Sequence, residues 1–235
     1  MQSPTRVPHA LGFERCPICV PLSGSTTPPA TQRIVNFMLD HVFTDAIGAL
    51  RDALESAMLE RQAFEERFQA DVLLGDVSWE TTYGLPGEGS PPRVQADLTL
   101  EWPTWAQTAY RTWYVDGEFT DGPHIEIEVV FRVQRLASAP DPKVVVKGLP
   151  PSPPAIGNER FVGLGPTIEA EYDTDLNVVS HAFEVTYSGS YELDEKTLED
   201  GSALDEHFGA IGGWVTSSLV RLGDLPLTFL APDEE

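Results

Sequence analysis

HIEIEVVFRV, residues 124–133, sets Ile125, Ile127, Val129, Phe131 and Val133 two apart, with His124, Glu126, Glu128 and Arg132 in the gaps. Successive side chains of a strand point to opposite faces, so this spacing gathers the apolar residues on one side and the charge on the other. Such a segment is a strand with one dry and one wet face; strands covered on both faces read instead as unbroken apolar runs. The same alternation recurs elsewhere. Val94, Ala96, Leu98, Leu100 and Trp102 alternate with Arg93, Gln95, Asp97, Thr99 and Glu101. Ile168, Ala170 and Tyr172 alternate with Glu169, Glu171 and Asp173, and His181, Phe183, Val185 and Tyr187 with Ala182, Glu184, Thr186 and Ser188. One-sided segments of this kind predict antiparallel pairing. Further strands are expected at 104–115 and 143–149, for a sheet of about six strands over residues 72–193. The stretch GLPPSPPAIGNERFVGLGP, 148–166, reads as a long irregular loop.

On either side of the strands the period becomes helical. Residues 33–70 hold no Pro and one Gly, with Val35, Leu39, Val42, Ala46, Leu50, Ala53, Ala57, Phe64 and Phe68 at helical spacing. As one helix this stretch is roughly 55 Å long, more than a domain of this size spans. It must break near Gly48 or project toward a partner, and the thin stripe from Ala57 to Phe68, set among Glu60, Arg61, Glu65, Glu66 and Arg67, resembles a coiled-coil seam. A C-terminal helix is predicted over 202–222, through Leu204, Phe208, Ile211, Val215, Leu219 and Leu222, with Gly223 ending it. Gly209 and Gly213 interrupt it, small residues that let a helix approach a neighbour closely. The expected fold is α+β: one domain over 33–235, an antiparallel sheet with the long N-terminal helix and the C-terminal helix packed on one face. Residues 1–32 carry six Pro and no apolar period, and read as a disordered Pro-rich tail.

Charge narrows the function. Among 235 residues, 37 acids face 15 Lys and Arg, a net charge of -22. The whole chain is therefore repelled by nucleic-acid phosphates and anionic lipid, and a basic protein partner suits it better. Only Lys143, Lys147 and Lys196 are lysines, a composition that fits either a salt-rich cytoplasm or an Arg-favouring genome. No run reaches the roughly 18 apolar residues of a membrane span, so a cytoplasmic protein is expected.

The motifs carry little chemistry. Cys16 and Cys19 form a Cys-x-x-Cys pair, but a structural zinc needs four ligands and the chain has no other Cys, which leaves a clip shared between subunits as the surviving metal role. DTDLNVVSHAFE, 173–184, approaches a calcium loop, yet position six is Val178 rather than Gly and the flanks alternate as strands, so a hairpin turn is the better reading. No nucleophile elbow or phosphate loop is present. No catalytic residue, cofactor or metal is implied, and the chain reads as non-enzymatic. From Thr167 to His207, twelve acids accompany one base, Lys196, a net of -11 in that segment. Glu169, Glu171, Asp173, Asp175 and Glu184 are the expected interaction patch. Two classes of function follow: an acidic interaction or assembly protein, oligomerising through its long helix or meeting a basic partner, and a carrier with an apolar cavity built from Trp102, Trp105, Tyr110, Trp113 and Tyr114.

Overall fold

The stretch HIEIEVVFRV begins a central strand whose side chains are buried and exposed in turn, as its alternation requires. The structure, a computed structural model, describes residues 30–58, 64–73, 76–85, 92–117, 122–149, 153–157, 159–194, 196–197 and 201–231. In chain order these form α1 (Ala30–Met58), β1 (Phe64–Leu73), β2 (Asp76–Gly84), β3 (Val94–Trp102), α2 (Thr104–Asp116), β4 (His124–Leu136), α3 (Pro142–Gly148), β5 (Ala155–Ile156), β6 (Glu159–Arg160), β7 (Val162–Tyr172), β8 (Val178–Glu192) and α4 (Ser202–Gly223). The fold is α+β. Strands β2, β3, β4, β8 and β7 form an antiparallel ladder in that order, and β1 continues it at the β2 edge.

Register sorts the side chains. Leu98 lies opposite Val129 and Thr81, and Val129 opposite Tyr187, so one face carries Trp79, Leu98, Leu100, Ile127, Phe131, Val185 and their neighbours. The helices cover this face. Phe43 of α1 meets Trp102 with ring centroids 5.8 Å apart, and Trp214 of α4 meets Phe131 at 5.2 Å and Tyr187 at 5.0 Å, both edge-on. Phe43, Ala46, Leu50 and Leu54 of α1 and Leu204, Phe208, Ile211, Val215, Leu219 and Leu222 of α4 are buried in the shared core. No described helix is long and apolar enough to cross a membrane.

Several expectations are corrected. The helix predicted over 33–70 ends at Met58, and β1 pairs with β2 through Phe68 opposite Thr81, Ala70 opposite Trp79 and Val72 opposite Val77. Phe64 and Phe68 stand four apart, a spacing that satisfies a period near 3.6 and a period of two alike, so that pair could not discriminate. Phe68, Ala70 and Val72 against Arg67, Gln69 and Asp71 carried the strand signal. The coiled-coil seam over Ala57–Phe68 falls with the helix.

Residues 104–115, expected as a strand, form α2. Ala106 and Tyr110 are buried one turn apart, Tyr110 packs edge-on against Trp102 at 6.0 Å, and Gly117 closes the helix at φ 69 with its N–H on the Trp113 carbonyl. Asp76 holds the other end, accepting from the Thr104 N–H at 2.6 Å and the Thr104 hydroxyl at 2.7 Å. Those two hydrogen bonds, the hydroxyl's first, hold its carboxyl below the usual aspartate value. The expected strand at 143–149 is α3, because Asp141 accepts the Lys143 N–H at 2.9 Å and Pro142 occupies the first turn. Cap and proline overrule the β preference of Val144, Val145 and Val146. Within the expected loop 148–166, Ala155–Arg160 forms the small β5–β6 hairpin and β7 already begins at Val162. Ile156 and Phe161 are buried beside Gly189, where an added Cβ would stand 3.2 Å and 3.3 Å from them. The expected tail overlaps the described chain only at its end, since α1 starts at Ala30; Cys16 and Cys19 lie outside the described residues.

Candidate functional site

Opposite the helices, no described helix covers the second face of the sheet, where Gln95 and Ser180 are buried and the glutamates Glu80, Glu101, Glu126, Glu128, Glu169 and Glu171 are exposed. Alternation places Glu80 and Thr82 of β2 there, with Gln95, Asp97, Thr99 and Glu101 of β3, Glu126, Glu128 and Arg132 of β4, Ser180, Glu184 and Ser188 of β8, and Thr167, Glu169 and Glu171 of β7. Arg132 is the one basic side chain among these positions, and it pairs with Glu184 directly across the strands.

Part of the charge is held locally. Asp97 accepts from the Thr82 hydroxyl at 2.6 Å and from the Gln95 amide at 3.1 Å; Glu171 accepts from the Ser180 hydroxyl at 2.7 Å. Glu80, Glu101, Glu126, Glu128 and Glu169 make no hydrogen bond or ion pair among the described residues. Glu101 stands directly opposite Glu126, a like-charge pair across adjacent strands that is unfavourable unless something positive joins it. These two and Glu128, with Thr99, Ser188, Ser190, Arg160 and Val162, line a groove of about 440 Å³. Carboxylates from adjoining strands with hydroxyls between them suit it to an ammonium or guanidinium side chain, since the three glutamates outnumber the one guanidinium of the lining, Arg160.

The expected patch divides. Glu169, Glu171 and Glu184 share the open face, whereas Asp173 and Asp175 occupy the β7–β8 turn. The Asp173 carboxylate accepts the backbone N–H groups of Asn177 at 2.8 Å and Asp175 at 2.9 Å, together with the Asn177 side-chain amide. These bonds, with the Asn177 backbone first, hold its carboxyl below the usual aspartate value, and the segment is a hairpin turn between strands. Of the other late acids, Glu192 ends β8 opposite His124 and three lie off the sheet. Asp205 and Glu206 are exposed on α4, and Asp194 accepts from the Thr197 hydroxyl and N–H.

Sequence reasoning passed over Glu101, Glu126 and Glu128 as site residues because it weighed acids by local density along the chain. The signal that finds them is cross-strand pairing, which brings distant segments side by side. The aromatic set considered for a carrier cavity is placed differently: Trp102 and Tyr110 are packed in the core, Trp113 is half-buried against Tyr110, and Trp105 is 52% exposed. The side chain of Tyr114 lies outside the described set.

Leu176 completes the turn at φ 62, the left-handed region, with 81% of its surface exposed. A three-residue hairpin loop wants Gly there. Left-handed backbone costs an L-residue about 1–2 kcal/mol, and Gly returns about 0.5–1 kcal/mol of that as unfolded-state entropy. Leu176→Gly is therefore expected to raise stability by about 0.5–1 kcal/mol in urea unfolding. An unchanged or lower midpoint would mean that Leu176 is not strained.

No protein-family model, curated protein or solved structure matches the chain.

Proposed function

We propose that this chain is a non-enzymatic, acidic interaction module whose open sheet face receives a basic protein partner. One observation carries the reading: the face opposite the described helices sets Glu101, Glu126 and Glu128 around a groove of about 440 Å³ with no described cation paired to them. Adjacent strands lie about 4.8 Å apart, inside the screening length of about 8 Å at physiological salt, so these carboxylates repel one another through solvent. A Lys or Arg side chain entering the groove relieves that repulsion, and the net charge of -22 steers a basic partner toward it. Self-association through the long helix loses its motive, since the stripe from Ala57 to Phe68 is divided between the end of α1 and β1.

Zero-length carbodiimide cross-linking, which joins a carboxylate to a contacting lysine, tests the reading in an extract of the cells that make the protein. Cross-links from a discrete basic partner are expected to concentrate on Glu101, Glu126 and Glu128 and to disappear in the triple variant with Gln at those positions. Cross-links spread evenly onto helix-layer acids such as Asp52, Glu55, Asp205 and Glu206 would refute it.

A further inference from the structure

The geometry points to strand addition at β7: an extended segment of the basic partner, alternating Lys or Arg with apolar residues, docks along Thr167–Glu171. This rests on the reading of a basic partner and specifies where and how it is held. β7 is the outer strand of the sheet, paired only with β8 among the described residues. Edge strands expose unpaired backbone N–H and C=O groups, and proteins ordinarily blunt them. Here the bulges and the proline fall at the ends, and the run between them is guarded only by the charge of Glu169 and Glu171, which a basic segment neutralises. Register shifts fall between Gly163 and Pro166 and between Glu171 and Tyr172, and Pro166 offers no N–H. Between them Thr167, Ile168, Glu169, Ala170 and Glu171 keep unbroken register opposite Glu184, Phe183, Ala182, His181 and Ser180. That is a short, regular docking length.

The side chains name the occupant. Glu169 and Glu171 point to the open acidic face, while Ile168, 40% exposed, lies on the face that carries Phe183. Tyr172, 57% exposed, extends apolar surface past the end of this run. An added strand places residues of one parity beside the two glutamates and residues of the other beside Ile168 and Ala170. Basic-apolar-basic-apolar is the pattern that satisfies both faces. A second copy of this chain does not: antiparallel pairing of two β7 edges about Ala170 sets Glu169 against Glu171, between molecules each carrying -22.

The test uses the full chain and two capped nonapeptides of identical composition, one alternating Lys and Val, the other with its lysines and valines in separate blocks. The alternating peptide is expected to bind at least about tenfold more tightly and to slow amide exchange within 167–171. Glu169→Gln with Glu171→Gln is expected to weaken it about three- to tenfold, and N-methylation of alternate backbone amides to abolish binding. Equal binding of both peptides, lost in the Glu101, Glu126 and Glu128 triple variant and without protection at 167–171, overturns strand addition while the acidic-face reading stands. Binding of neither peptide, with dispersed carbodiimide cross-links, overturns both. Protection of 167–171 in the free chain that an added peptide does not change shows the edge already occupied by another part of the protein, and overturns the inference as well.

Discussion

Trp214→Ala is expected to lower the free energy of unfolding by about 3–5 kcal/mol, the range for deleting a large buried aromatic. Trp214 is 8% exposed and lies where α4 meets β4 and β8. Its ring stacks on Phe161 with centroids 5.6 Å apart, and meets Phe131 and Tyr187 edge-on. Each such pair adds about 0.5–1.5 kcal/mol beyond burial, and all three share the one indole. Truncation also leaves a cavity, because β4, β8 and α4 are rigid elements that close it only in part. Against a total stability of about 5–15 kcal/mol the loss is large, equivalent to about 6–20 °C in Tm for a chain of this length. The indole N–H has no hydrogen-bond partner among the described residues, so Trp214→Phe forfeits no polar contact and is expected to cost only about 1–2 kcal/mol. If Trp214→Ala melts within about 1 °C of the parent, α4 is not seated on the sheet as described.

How much of this was legible in the sequence depends on how many periods a segment obeys. β3, β4 and β8 were readable because their alternation persists over at least seven residues, each with one wet face. α4 was readable for the complementary reason, a helical stripe that runs through to Gly223, although Gly223 is its last helical residue and Asp224 the cap. Residues 104–115 misled because Trp105, Tyr110 and Trp113 favour strands by composition, whereas Pro103 and Gly117 enclose a helix and Asp76, from β2, supplies the partner for its first turn. That partner is 28 positions away, beyond the reach of any local pattern. The acidic site was half legible for the same reason. Wet faces could be read strand by strand, but the meeting of Glu101 with Glu126 needs the register of β3 on β4.

The glycines of α4 show the same limit and carry the second large effect. Gly209 and Gly213, at a suggestive four-residue spacing, have open space where a side chain would begin; the residue in close approach is Gly212. A Cβ there would stand 2.7 Å from the Ala53 Cβ, 3.1 Å from the Leu50 carbonyl oxygen and 3.3 Å from the Leu54 N, all on α1. Carbon atoms rest at about 3.5–4.0 Å, so the two helices must part by nearly an ångström, and the obstruction is backbone and a methyl that cannot rotate away. Gly→Ala inside a helix ordinarily gains about 0.8–1 kcal/mol, while overpacking a tight interface costs about 1–3 kcal/mol. Two of the three substitutions meet only the first of these effects. Gly209→Ala and Gly213→Ala are expected to stabilise by about 0.5–1 kcal/mol each, and Gly212→Ala to destabilise by about 1–2 kcal/mol, a contrast of up to about 3 kcal/mol within one helical turn. Gly212→Val, with two further methyl groups in the same gap, is expected to cost more still. Because the nearest obstacle is the Ala53 methyl, a double-mutant cycle of Gly212→Ala with Ala53→Gly should show a favourable coupling of at least about 0.5 kcal/mol. Additive behaviour in that cycle, or a Gly212→Ala variant as stable as its two neighbours, would mean that α1 and α4 do not touch at this point and that the helix layer over the sheet is assembled differently.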